Sequence, residues 1–158
     1  MTIELTEPNG LEAELASSHE NLVFFPRKVD SNGRYQHESS AITIRKLLRE
    51  QGIDAEVAEG DAGRSDIQEN AFELILPVIF VGAACATANP HVYTILINVL
   101  SSYIYDFFQG IQDDKKVRAS FVVRKANGQL TKIRYSGPPE QFKDIKDIIE
   151  AERDDDRE

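Results

Sequence analysis

Hydrophobic residues along this chain recur with two periods, and the switches between them mark its elements. Leu22-Val23-Phe24-Phe25 is a short apolar run ended by Pro26 and predicts a first strand, with Asp30-Ser31-Asn32-Gly33 as the loop after it. Ser39 or Ser40 can cap a helix running through Gln51. Its Ile44, Leu47 and Leu48 share one face, while Arg45, Lys46, Arg49 and Glu50 face water; Gly52 stops it. Ile53, Ala55 and Val57 alternate with Asp54 and Glu56, which predicts a half-buried strand closed by Gly60-Asp61-Ala62-Gly63. Strand, helix, strand favours parallel pairing with the helix on one face. Before all this, residues 1–20 are ambiguous. Thr6-Glu7-Pro8-Asn9-Gly10 signals a turn, and Leu11 to Ala16 can form a helical turn.

The last third has the sharpest pattern. Val117, Ala119, Phe121 and Val123 alternate, Asn127-Gly128 turns, and Thr131, Ile133 and Tyr135 alternate again. A two-residue loop would set Phe121 opposite Arg134 and Val123 opposite Lys132. A three-residue loop, Ala126-Asn127-Gly128, pairs Phe121 with Ile133 and Ala119 with Tyr135. Only the longer loop keeps one face apolar, with Gly128 left-handed at a bulge. Gly137-Pro138-Pro139 ends the strand, and Phe142, Ile145, Ile148 and Ile149 define a final amphipathic helix.

The middle is harder to read. Ser65-Asp66-Ile67-Gln68 has the capping-box pattern and predicts a helix from there to about Thr87, kinked or shortened by Pro77. Asn89-Pro90 then starts a second helix, which Gly110 ends. From Leu74 to Tyr105 there is no Asp, Glu, Lys or Arg. A membrane span needs about 20 apolar residues, and Asn89-Pro90 cuts the run into two shorter pieces. No basic cluster flanks it to set an orientation, so insertion as a 71–108 helical hairpin is the disfavoured reading. The second helix is apolar on two sides: Val92, Ile95, Leu96, Val99, Tyr103 and Phe107 on one, Tyr93, Ile97, Leu100, Ile104 and Phe108 on the other. The sheet can cover one side. The preceding helix or another chain must cover the other.

The expected fold is therefore α+β: a βαβ unit, an apolar helical pair, and a C-terminal β-hairpin and helix on a four-stranded mixed sheet. Residues 1–38 are an N-terminal extension with the first strand, 39–152 the core, and 153–158 an acidic disordered tail.

Composition changes this picture little. The chain has 158 residues, 41% hydrophobic and 28% charged, which fits one ordinary globular domain. A net charge of −9 disfavours nucleic acid and anionic membranes as partners. Met1 to Leu5 is not a basic-then-apolar signal segment, and a single cysteine, Cys85, fits a reducing cytoplasm.

Candidate chemistry is sparse. His19, His37 and His91 lack metal-ligand spacing. A Cys85–His91 nucleophile pair is weakened by the apolar surroundings of the thiol. Glu69 and Glu73 form an i,i+4 pair that reads as a solvated face. Gly60 and Gly63 before Ser65 resemble a phosphate loop only superficially, because the remaining glycines and the lysine are missing. No catalytic, cofactor or metal site is expected. Two surfaces stand out instead. Arg118, Arg124, Lys132 and Arg134, with Lys115, Lys116 and Lys125 nearby, form a basic outward face on the hairpin. It could take an acidic peptide or a phosphate backbone, though the solvated face of an antiparallel sheet is the favoured reading. Tyr93, Phe107 and Phe108 are the aromatic anchors expected if the paired helices between Asp66 and Gln109 meet a partner.

Four features carry a likeness in layout over roughly residues 40–150. They are Ile44-Arg45-Lys46-Leu47-Leu48 before Gly52, the Gly60–Gly63 turn, the small-residue stretch Val81-Gly82-Ala83-Ala84, and the Asn127-Gly128 hairpin followed by a helix. In these the chain resembles the effector-associated constant component family of bacterial conflict systems. It departs from that family in its Met1–Ser39 extension and in lacking a tryptophan near the end of the paired helices. The resemblance implies a non-catalytic adaptor or assembly component in antiviral defence, binding itself or an effector protein. The alternatives are a membrane-associated effector and a small-ligand or nucleotide sensor built on the Gly60–Ser65 junction.

Overall fold

A computed structural model describes residues 1–60, 63–67, 73–110 and 114–155. The main sheet is mixed and has six strands, in the order β1 (Thr2–Thr6), β9 (Leu130–Gly137), β8 (Lys116–Arg124), β7 (Glu73–Val81), β2 (Leu22–Phe25) and β5 (Ala55–Val57). A smaller sheet joins β3 (Lys28–Val29), β4 (Tyr35–Glu38) and β6 (Arg64–Ile67). The helices are α1 (Gly10–Ser18), α2 (Ser40–Glu50), α3 (Ala83–Ala88), α4 (Val92–Phe107) and α5 (Ile145–Arg153); a 3-10 turn, Pro139–Asp144, precedes the last.

The expected βαβ unit is present: β2 and β5 pair in parallel with α2 between them, although the small hairpin of β3 and β4 interrupts the crossover. The three-residue hairpin loop is also present. Phe121 faces Ile133 and Ala119 faces Tyr135. The Lys125 amide closes onto the Gln129 carbonyl at 2.8 Å, and Gly128 has φ +89°, a region that only glycine enters without strain.

The expected four-stranded sheet is too small, and one error accounts for its centre. Residues 73–81 are a strand, not a helix. Leu74, Leu76, Ile79 and Val81 point to one face and Val78 and Phe80 to the other, and both faces are packed. A strand buried on both sides is apolar throughout, so its period of two disappears from the sequence. Pro77 carried the information. Ile75 pairs with Arg118 and Val78 with Ser120, so Leu76 and Pro77 together span the place of Ala119. That bulge places a residue without an N–H where the ladder is already broken. Ser65 lies in β6, paired with Gln36, so the capping-box reading fails there; Gln68 lies outside the described residues. The second missing strand is β1, which pairs antiparallel with β9 at the sheet's edge.

The turn from β7 into α3 needs Gly82. A Cβ there would lie 2.2 Å from the Glu20 carbonyl carbon. The approach is fixed by hydrogen bonds from the Gly82 amide to Asn21 O (2.9 Å) and from the Cys85 amide to Glu20 O (3.1 Å).

The charge-free run thus divides among a central strand, a short helix and α4. It is not a helical pair. No helix among the described residues is long and apolar enough to cross a membrane. One side of α4 is buried with the sheet's inner residues, as expected, and most of the other is half-buried; its helical cover is not a preceding paired helix. It packs against α2, the 3-10 turn and α5, and Tyr93, Leu96, Ile97, Leu100 and Ile104 join the same core as the strands' inner residues.

Candidate functional site

The two faces of the main sheet are finished differently. The inner face lies under α2, α4 and α5 in one apolar core. On the outer face, α1 places Leu11, Leu15 and Ala16 over Val23, Phe25, Phe80 and Val122, with Tyr35 of β4 in the same cluster. Between α1 and the small sheet the outer face stays open. There it forms a cleft of about 550 Å³.

One wall is anchored by Glu12 of α1. Asn9 and Glu12 make a reciprocal capping box: the Glu12 amide donates to Asn9 Oδ1 (2.8 Å) and the Asn9 amide to Glu12 Oε1 (3.0 Å). The other carboxylate oxygen, Oε2, accepts from Lys132 Nζ at 2.8 Å. One nearly buried carboxylate therefore starts the helix and ties it to β9. The opposite wall carries an ion pair between Arg27 Nη1 and the buried Glu38 (3.3 Å). Phe25, Ile75, Val78, Ser120 and Ser136 contribute to the floor.

Arg118, Arg124, Lys132 and Arg134, singled out from the sequence, lie on this outer side, each with a partner. Arg118 Nε meets Glu73 at 2.6 Å, and Arg134 Nη1 meets Glu4 of β1 at 4.0 Å. Arg124 donates to the Gly128 carbonyl (3.3 Å) and, from Nη2, to the Ala16 carbonyl in the last turn of α1 (3.2 Å), where a cation suits the helix dipole. Lys125 reaches Glu152 (3.5 Å) and Asp155 (3.6 Å) in and just beyond α5. Lys115 and Lys116 sit by a neighbouring depression at the start of β8. Of the basic group, Arg118, Lys132 and Arg134 line the cleft.

The aromatic anchors are placed otherwise. Tyr93 and Phe108 are buried in this chain's own core, and Phe107 is half-buried, edge-on to Phe108 with ring centroids 4.9 Å apart. Neither Tyr93 nor Phe108 offers a surface to a partner. Burial pushes the Tyr93 hydroxyl up to about 12, against the pull of Arg153, whose guanidinium stands 5.4 Å from the ring centre.

The other candidates resolve as structure. Burial raises the Cys85 thiol, partly offset by a hydrogen bond from the Leu22 backbone, so it is not activated as a nucleophile; His91 is exposed at the start of α4. His37 is buried with Nε2 2.7 Å from the Ala58 carbonyl, and His19 Nδ1 lies 2.8 Å from Leu15 O. Gly60 and Gly63 close a tight turn (Gly63 N to Gly60 O, 3.0 Å) that leads into β6. Ser65 therefore heads no helix, and the nucleotide-sensor reading at that junction loses its anion-binding amides. Glu69 lies outside the described residues.

Sequence reasoning found three of the cleft's cations, Arg118, Lys132 and Arg134, and missed Arg27 and the carboxylates. Glu12 had a legible signal, the Asn9-x-x-Glu12 box, and Glu4 had its alternation with Ile3 and Leu5. Arg27 and Glu38 had none, because only the fold of β3 and β4 brings them together.

The chain matches no known protein-family model, no curated protein and no solved structure.

Proposed function

We propose that this chain is a non-catalytic interaction component that receives a protein partner, an effector or a second copy, on the open outer face of its main sheet. The observation that carries the reading is the cleft itself. Ion pairs hold its two walls in place, and its floor presents charged and hydroxyl side chains that the inner core does not use. Preorganised walls lower the ordering cost of binding. A place among bacterial antiviral systems, and work in the cytoplasm, belong to the same proposal. They rest on the likeness in layout, of which α2 before Gly52, the Gly60–Gly63 turn and the hairpin followed by a helix remain in the fold.

The test compares two surface variants by light scattering and affinity capture with a candidate effector. Ser120→Tyr fills the cleft floor. Tyr105→Ser alters the exposed ring on α4, away from the cleft. Association lost in the first and kept in the second is the expected result. The reverse pattern overturns the assignment.

A further inference from the structure

On β8 and β9, Arg118 lies opposite Ser136, and Ser120 lies opposite Arg134. All four residues line the same cavity. They form a square, with the two arginines on one diagonal, somewhat under about 7–8 Å apart at Cβ, and two hydroxyls on the other. We propose that this square is a receptor for a tetrahedral oxyanion, the phosphate group of a small phosphorylated ligand. The inference rests on the interaction reading only in using the same open cleft.

The state of each cation decides which can serve. Lys132 is committed, because its bond to Glu12 is nearly buried and anchors a helix. The arginines are less committed. Arg118 is 51% exposed, and its contact with Glu73 through Nε lies at the surface, where an ion pair adds little stability. Arg134 is 58% exposed, and its 4.0 Å contact with an equally exposed Glu4 is weak. Both guanidinium ends can therefore turn to a ligand without breaking the fold.

The geometry also chooses the anion. A carboxylate has two coplanar oxygens and saturates one guanidinium fork. Arg118 now reaches Glu73 on one flank and Arg134 reaches Glu4 on the other; turned inward over the two hydroxyls, their donors would meet oxygens in more than one plane, which phosphate provides. A cavity of about 550 Å³ falls in the range of small-ligand sites. The net charge of −9 gives no long-range attraction to an anion. Affinity must come from these short contacts, so a lysine, which lacks the fork, should replace either arginine poorly.

The experiment titrates the full chain with inorganic phosphate and follows the backbone amides of residues 118–120 and 134–136 by NMR. Acetate at equal ionic strength is the planar comparison. Saturable shifts with phosphate and a clearly weaker response to acetate are expected. Arg118→Gln and Arg134→Gln should each raise the dissociation constant roughly tenfold or more, since each removes hydrogen bonds to a charged group. An acetate curve matching that of phosphate, or a phosphate curve unchanged in the double variant, overturns the proposal. Should the arginine variants melt early, Ser120→Ala with Ser136→Ala decides. Weaker phosphate binding supports the square, and unchanged binding overturns it. The two readings fail separately. Partner association that depends on Ser120 without any phosphate response removes this inference alone. A phosphate response with partner association indifferent to Ser120→Tyr removes the interaction reading alone.

Discussion

The same strands build two unlike surfaces. On the inner face, Val117, Ala119, Phe121 and Val123 alternate into a continuous apolar core that α2, α4 and α5 close. On the outer face, Arg118, Ser120 and Arg124 alternate with them, and Val122 alone of that row is sealed under α1. The inner face gains stability by packing, which has no direction. The open part of the outer face, beside the apolar patch under α1, is held by discrete polar contacts, each needing a particular partner at a particular distance. The difference matters for function, because a surface made of separable contacts can exchange some of them for a ligand, and a packed core cannot.

Mutations should expose this contrast. The largest effect is expected inside. Phe121 is buried and faces the Phe142 ring, and Phe121→Ala should cost about 3–5 kcal/mol in urea unfolding. Next comes the one outer contact that is nearly buried. Glu12→Ala removes the carboxylate half of the capping box and leaves Lys132 without its partner, a loss of about 2–3 kcal/mol. Adding Lys132→Met should recover part of it, because the stranded cation is then gone. No recovery would mean that the cap alone matters.

Alkaline pH gives a third comparison. Burial lifts the Tyr135 hydroxyl to about 12, aided by Asp144 and Glu140, and the hydroxyl donates to the Pro138 carbonyl at 2.5 Å. Tyr93 is raised to a similar value. A folded pKa above the unfolded value of about 10 means that this stability is whole below pH 10 and is lost as pH rises toward 12. Tyrosinate absorbance should show Tyr93 and Tyr135 ionising late, together with unfolding. A late absorbance step that persists in full in both Tyr93→Phe and Tyr135→Phe would contradict it. The smallest effect belongs to the exposed pair at the cleft's rim. Glu4→Gln should change stability by less than about 0.5 kcal/mol, while freeing Arg134 for phosphate.

What the sequence disclosed follows the same division. β5, α2, the hairpin register and α5 were legible because each has one wet face, and water imposes a period. β7 was not, since packing on both sides erased its alternation, and a local Ser65–Gln68 pattern then argued for a helix that long-range pairing overrode. The burial of α4 against the sheet was readable; its helical cover was not, because α2 and the 3-10 turn lie far off in sequence. At the cleft, Arg118, Lys132 and Arg134 could be assigned to one face from the hairpin alone. Their carboxylates could not, since Glu12 and Lys132 stand 120 positions apart.

That separation bears on the order in which the molecule is assembled. β1 and α1 are made well before β9, the strand that receives both. Until then Glu12 has its cap but no lysine, and Ile3 and Leu5 have no neighbouring ladder. The inner half can collapse earlier around β2, α2 and β5, whose contacts span shorter loops. Closing the outer wall is therefore the slow, late step expected of contacts with large sequence separation, and in a nascent chain the cleft forms only after β2 through β8 exist.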